Sequence, residues 1–362
     1  MPFSTEKASS VARFAWATLC FNVAVVLWGA YVRATGSGAG CGNKWPNCGG
    51  SVLGTSANAQ TIIEFTHRMT SGVALLMVAA LALWCWRATS NGNWARYSAL
   101  LATAFLANEA LLGAALVLLG HVAQDQSAGR TLFLCLHFGN TLLLLAMLAL
   151  TAAWLQSGSE SFTLIKKRTE VSAVAVGLVA VLAIGMTGTV AALGDTLFRA
   201  TSLRASLLQD FTSDSPVLLH FRLLHPVLAV IAGIYVIWVL LKSSAPRMCQ
   251  SRAAVALIIL LFTEIGIGLL NVLLLAPVWL QILHLLVADT LWISIVLASA
   301  ALVLEHPYAR PDRVAAPSHG IPGVQWLPMA QHEGLKLIDR QLSSSSTSLR
   351  LDPDHLRDRQ VR

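Results

Sequence analysis

The sequence predicts an all-α integral membrane protein: eight transmembrane helices forming two pseudo-symmetric four-helix bundles, with both termini cytoplasmic. Three observations predict it. Hydrophobic residues make up 56% of the chain and charged residues only 12%, against about 25% charged in a soluble domain. The apolar residues occur in runs such as 14–32, 69–86, 171–194, 223–241 and 265–288, none of which contains Asp, Glu, Lys or Arg. A spanning helix needs about 20 such residues. Finally, the net charge of +7 sits in short connections and in the tail, a topology signal rather than a nucleic-acid-binding surface.

Spans are expected at 14–34, 64–86, 96–119, 131–154, 170–192, 217–241, 251–275 and 279–303. With the N-terminus inside, the inner segments carry ten basic residues (Lys7, Arg13, Arg87, Arg96, Lys166, Lys167, Arg168, Lys242, Arg247, Arg252). The outer loops carry five: Arg33, Lys44, Arg130, Arg199 and Arg204. The excess inside sets the orientation. The first run is too long for a signal peptide, and no long Arg-rich transit segment precedes it, so a bacterial inner membrane is expected over a mitochondrial one.

The halves echo each other. V-R-A-T-G at 32–36 resembles V-A-A-L-G at 190–194, and E-A-L-L-G-A-A-L-V at 109–117 resembles E-I-G-I-G-L-L-N-V at 264–272. A four-helix unit used twice explains both. The chain then divides into a cytoplasmic N-terminus (1–13), a first bundle (14–154), a cytoplasmic linker (155–169), a second bundle (170–304) and a cytoplasmic tail (305–362). The tail, with charged residues, prolines and four consecutive serines at 343–346, reads as largely disordered.

Of ten histidines, His306, His319, His332 and His355 lie in the tail and His121 in an outer loop. His67, His137, His225 and His284 each lie near the start of an even-numbered span. All even spans run from outside to inside, so the four rings share one depth near the outer surface. Each half then presents two imidazoles across a bundle interior, which suits bis-histidine ligation of a haem iron, or one ligand pair for each of two haems. A single such histidine reads more simply as an interfacial residue. Zinc fits less well, because no Cys or second His sits at zinc spacing beside them. His220 precedes His225 by five residues and points roughly 140° away on a helix. His225 matches the depth of the others and is the preferred ligand; His220 is left to a haem propionate or a structural role.

Glu64 precedes His67 by three residues, on the same helix face; the equivalent position before His225 is Arg222. The asymmetry assigns chemistry to the first half and a permanent cofactor to the second. A carboxylate beside a haem edge can accept protons, although Glu64 could equally cap its helix or pair with Arg68. Arg68 and Arg222 are candidate propionate contacts, since guanidinium pairs with carboxylate in a bidentate way. Glu109 and Glu264 lie mid-span before a glycine, as parts of a proton path or as interhelical hydrogen-bonding groups. Cys41 and Cys48 flank G-N-K-W-P-N in the first outer loop, where a disulfide is expected, as a staple or as a thiol–disulfide exchange centre.

G-A-Y-V-R-A-T-G-S-G-A-G-C-G-N-K-W-P-N-C at 29–48 and E-F-T-H-R at 64–68 resemble the first outer loop and second span of the haem A synthase family. L-H-F-G-N at 136–140, L-H-P-V-L-A at 224–229 and I-G-L-L-N-V-L-L-L-A-P-V-W-L-Q-I-L-H-L at 267–285 resemble its later spans. The resemblance covers about 14–303. It implies oxidation of a methyl group of haem O to a formyl group by two successive hydroxylations, giving haem A for terminal oxidases. It also implies that His67 and His137 flank the substrate haem, that Glu64 acts beside the methyl, that His225 and His284 ligate a haem b that relays electrons, and that Cys41 and Cys48 form a disulfide. The second half departs from the pattern with His-Pro, where many relatives have His-Arg. Expected partners are the lipid bilayer, haem O synthase, cytochrome oxidase assembly factors and a second copy of the chain, but no nucleic acid; the electron acceptor is open. The competing readings are a di-haem electron-transfer cytochrome, a transporter and a pure assembly protein.

Overall fold

The computed structural model describes residues 5–48, 58–158, 163–164, 168–212, 217–242 and 252–305. The tail, with its four histidines, and Cys249 lie outside the described residues. The long helices are α1 (Thr5–Ala34), α2 (Ala59–Ala88), α3 (Trp94–Leu118), α4 (Ala128–Ser157), α5 (Arg168–Leu197), α7 (Val217–Lys242), α8 (Arg252–Leu273) and α9 (Val278–Val303). A short α6 (Leu203–Phe211) lies between α5 and α7. Eight helices are long and apolar enough to cross a membrane. Their exposed faces are apolar too, with Leu76, Leu111, Val179, Ile234 and Phe262 outward, the inverse of a soluble surface.

Local chemistry sets the ends. Asn58 caps α2 by accepting from the Thr61 N–H (2.8 Å), and Ser127 caps α4 by accepting from the Arg130 N–H (3.1 Å), each meeting a donor that the first turn leaves free. Gly158 ends α4 in the left-handed region, at φ 65°, where a glycine carries no steric cost. Between α8 and α9, Leu275 and Ala276 adopt φ values of 60° and 50°, a strained turn for residues with side chains. Pro277 precedes α9. The Ala276 carbonyl accepts from Gln281 Nε2 at 2.6 Å, fastening the turn to the helix that carries His284.

In the first half, α1 and α3 each pack against α2 and α4. In the second, α5 and α8 each pack against α7 and α9. The halves meet where α4 packs on α5 and α9, and where α1 packs on α9. The larger apolar core lies among α1–α4 and includes Trp292 and Val296 of α9; a smaller one gathers Val236, Leu257, Leu261, Leu291 and Ile295. Trp292 Nε1 donates to the Leu142 carbonyl at 2.7 Å, a buried bond between α9 and α4. Nearer the C-terminal end of α1, Arg33 donates to Ala192 O (2.8 Å) and Thr196 Oγ1 (2.9 Å) on α5, and to Gln281 Oε1 (3.0 Å) on α9. At the opposite end, Thr163–Leu164 pairs antiparallel with Leu304–Glu305, so part of the expected linker is ordered against the end of α9.

Two features were not anticipated. Helix α6 follows a Ser202 cap that accepts from the Ala205 N–H, and its mixed polarity gives no spanning signal. Several helices also run past the expected spans: α2 begins at Ala59 rather than at 64, because Asn58 starts it before the apolar run does.

Candidate functional site

Each of the four histidines faces a glycine on the preceding long helix. A methyl group added at Gly29 would lie 2.9 Å from His67 Cε1, at Gly188 2.8 Å from His225 Cε1, and at Gly268 3.2 Å from His284 Cε1; at Gly113 it would be 3.8 Å from His137 Nε2. The missing side chains are what let the rings lie against these helices. His67 lies near enough to His137, and His225 near enough to His284, for the two rings to interact electrostatically.

The half-buried carboxylates that the sequence left unassigned lie beside two of these rings. Glu109 Oε1 is 2.9 Å from His137 Nδ1, and Glu264 Oε1 is 3.1 Å from His284 Nδ1. These are ion-pair distances, although neither ring N–H is aligned on its carboxylate as a hydrogen bond requires. Glu109 is also held by Asn140 Nδ2 at 2.5 Å and by a short bond from Thr141 Oγ1. Asn140 in turn donates to the Phe105 carbonyl and accepts from Asn108. Glu264 lacks such a cage. Its Oε2 is buried without a hydrogen-bond partner among the described residues, and it interacts electrostatically with Asp289, which is 0% exposed and has both oxygens unmet. His225 Nδ1 lies 3.3 Å from the Thr187 hydroxyl.

Sequence spacing carried a signal for the carboxylates. Glu109 with Gly113, and Glu264 with Gly268, stand four apart on one helix face, so the carboxylate reaches Nδ1 while the glycine makes room for the ring. Asp289 was missed because it directly follows the uncharged run 265–288.

Glu64 is 3% exposed and does not cap its helix. Its Oε1 pairs with Arg68 Nη2 at 2.5 Å, and its Oε2 accepts the Cys41 N–H at 2.8 Å. Arg68 Nη1 also donates to the carbonyls of Lys44 (2.6 Å) and Pro46 (3.2 Å). Cys41 and Cys48 form a disulfide, and this loop lies directly on α2: Thr61 Oγ1 donates to Gly40 O at 2.6 Å, and a Cβ at Gly40 would meet Gln60 O at 2.4 Å. Arg222 is engaged by Asp210 (2.5 Å) and Asp195 (3.1 Å) and donates to Ser206 O. His220 is exposed, whereas His225 faces α5.

The residues present fit haem iron. No hydrogen bond among the described residues uses Nε2 of His67, His137, His225 or His284, and a carboxylate behind Nδ1 is the usual support of a metal-ligating imidazole. Fold and site thus define a multi-span membrane protein with four histidines near helix ends, two of them with a carboxylate at Nδ1. The family profile of cytochrome oxidase assembly proteins, COX15-CtaA, matches residues 12–296, and the chain belongs to this family. It is 46% identical over 275 residues to a protoheme IX farnesyltransferase of Thermus thermophilus, covering 75% of this chain and 45% of that one. It is 40% identical over 144 residues to a heme A synthase of Bacillus licheniformis (38% of this chain, 44% of that one), and 37% identical over 137 residues to a heme A synthase of Geobacillus kaustophilus (38% and 41%). The chain spans less than half the length of these relatives.

Proposed function

We propose that this protein is a haem A synthase, a membrane oxidoreductase that converts a methyl group of haem O to a formyl group by two successive hydroxylations and loss of water. One observation carries the reading: each histidine pair has one ring with a carboxylate at its Nδ1, and only the first pair also has a buried carboxylate, Glu64, three residues before a histidine on the same helix face. The family and the two heme A synthase relatives support it.

In this reading the eight helices are two pseudo-equivalent four-helix bundles with both termini cytoplasmic, in a bacterial inner membrane. His67 and His137 hold the substrate haem O, and His225 and His284 hold a haem b. The haems supply the redox chemistry when bound. Glu64 takes the proton from the reacting carbon's substituent, and Arg68 holds its carboxylate in place until then. Glu109 and Glu264 orient His137 and His284. A propionate at the outer ends would compete with Glu64 for Arg68 and with Asp195 and Asp210 for Arg222; the exposed His220 is a further contact. The disulfide loop holds Cys41 N–H against Glu64. The haem b that His225 and His284 would hold would supply an electron relay to an acceptor outside the chain. Haem O arrives from its synthase within the bilayer, in keeping with the farnesyltransferase name of the Thermus relative, and assembly factors or a second copy of the chain bind the same membrane-embedded molecule.

The test is extraction and chromatography of haems from membranes that express this chain with a haem O supply, beside Glu64→Gln. Haem A with the unaltered chain and none with the variant is expected. Haem b alone in both, with haem O supply verified, would replace this reading with a di-haem electron-transfer cytochrome.

A further inference from the structure

Three of the four imidazoles have a polar group at Nδ1. His137 has Glu109 at 2.9 Å, His284 has Glu264 at 3.1 Å, and His225 has the Thr187 hydroxyl at 3.3 Å. His67 differs. Its Nδ1 is buried, with neither a hydrogen-bond partner nor a carboxylate in ion-pair range among the described residues. Glu109 is near enough to act on it at a distance but is already committed to His137, Asn140 and Thr141. On the α1 side the ring meets Gly29, which offers packing and no polar side chain.

This difference bears on how firmly each ring can hold a metal. A carboxylate behind Nδ1 fixes a ring's orientation and raises its basicity as a ligand. A ring whose second nitrogen is buried unmet bears a desolvation cost for as long as it stays there, and rotating away relieves it. Building on the haem A synthase reading, we infer that His137 is the fixed axial ligand of the first-half haem and His67 its exchangeable ligand. The second-half haem is closed by two supported ligands, His225 and His284.

The position of the weak ligand gives the difference a use. Glu64 lies three residues before His67 on α2, and its carboxylate is fastened to Arg68 and the Cys41 N–H. When His67 swings away, Glu64 stays, so the haem face that α2 covers would be exposed to a small ligand beside a fixed carboxylate. The second half has no such face: Arg222 stands at the equivalent position, bound by Asp195 and Asp210.

The experiment reduces the unaltered protein, carrying both haems, and adds carbon monoxide while the absorption bands of haem O or A and of haem b are followed separately. The expected result is a shift of the haem O or A bands with those of haem b unmoved. In parallel, His67→Ala is expected to retain first-half haem within about twofold and to bind added imidazole, whereas His137→Ala loses that haem by about tenfold or more, the scale on which ligand support acts. Retained haem b reports that each variant is folded. Carbon monoxide shifting the haem b bands, or neither set, would overturn the assignment. So would His67→Ala losing first-half haem as fully as His137→Ala while haem b is kept. An unaltered protein that never carries haem O or A would instead remove the haem A synthase reading on which the assignment stands.

Discussion

The two halves use the same device with opposite charge. In the first, the residue three before the α2 histidine is Glu64; Arg68 holds it, and it receives the Cys41 N–H of the outer loop. In the second, the residue three before the α7 histidine is Arg222, gripped by Asp195 of α5 and Asp210 of α6. Each thus ties the segment preceding its helix to the turn that bears a ligand. The deeper parts are closer to equivalent: a glycine under each ring, and a glutamate four residues before one of those glycines. The ring surroundings are alike in the two halves while the end beside them diverges, and the reversed charge there is compensated locally in both.

Several experiments would sharpen or break this comparison. The largest effect is expected from Glu64→Gln, with haem A formation falling by about 100-fold or more, the range of a lost general base, and haem b content unchanged. Equal loss of haem b would make Glu64 structural. Next, Glu109→Gln and Glu264→Gln should each weaken haem retention by about tenfold, as lost support of a metal ligand does. The loss should fall on the first-half haem for Glu109 and on the second for Glu264, read by haem stoichiometry. Loss of both haems in either variant would deny that the sites are separable. Gly188→Ala places a methyl 2.8 Å from His225 and Gly113→Ala one 3.8 Å from His137. The first should destabilise haem-bound protein by about 1–3 kcal/mol through overpacking and the second little, measured by thermal release of each haem; the opposite ranking would show that the glycines do not shape the ring sites.

The smallest effect concerns the loop between α3 and α4. Partial desolvation pushes the Asp125 carboxyl up, but hydrogen bonds from Ser127 and contact with His121 pull it further, so it titrates below its ordinary value. A carboxyl lowered by folding stabilises the protein above its unfolded pKa, and that contribution fades as pH falls through the folded one. Asp125→Asn should therefore lower thermal stability slightly at pH 6 and not at pH 3; a gap that widens on acidification would contradict the sign.

Much of this was legible in the sequence for specific reasons. Uncharged runs marked the spans, because a charge in hydrocarbon is costly. The histidines stood out by their common depth, because alternate helices reverse direction. The tie between the outer loop and α2 was half visible: Glu64 and Arg68 stand one turn apart, but no local pattern could show that Glu64 also takes the Cys41 N–H. The partners of Arg222 come from 12 and 27 residues away, and such contacts exist only after the helices pack. Helix α6 was illegible because its stability comes from a cap and from resting on α7, not from an apolar run.

Arg33 gives the join between the two halves a direction. It leaves α1 one turn after the glycine beneath His67 and closes on Ala192 and Thr196 of α5 and on Gln281, one turn before His284. In the alignment of V-R-A-T-G with V-A-A-L-G its counterpart is Ala191, so the rivet is driven from one side only. Two copies of the first half would each offer a guanidinium, and neither would offer Thr196 or Gln281 to receive it. The two halves therefore differ at the seam as well as at the mouths, and their pairing is written into a single half-buried side chain.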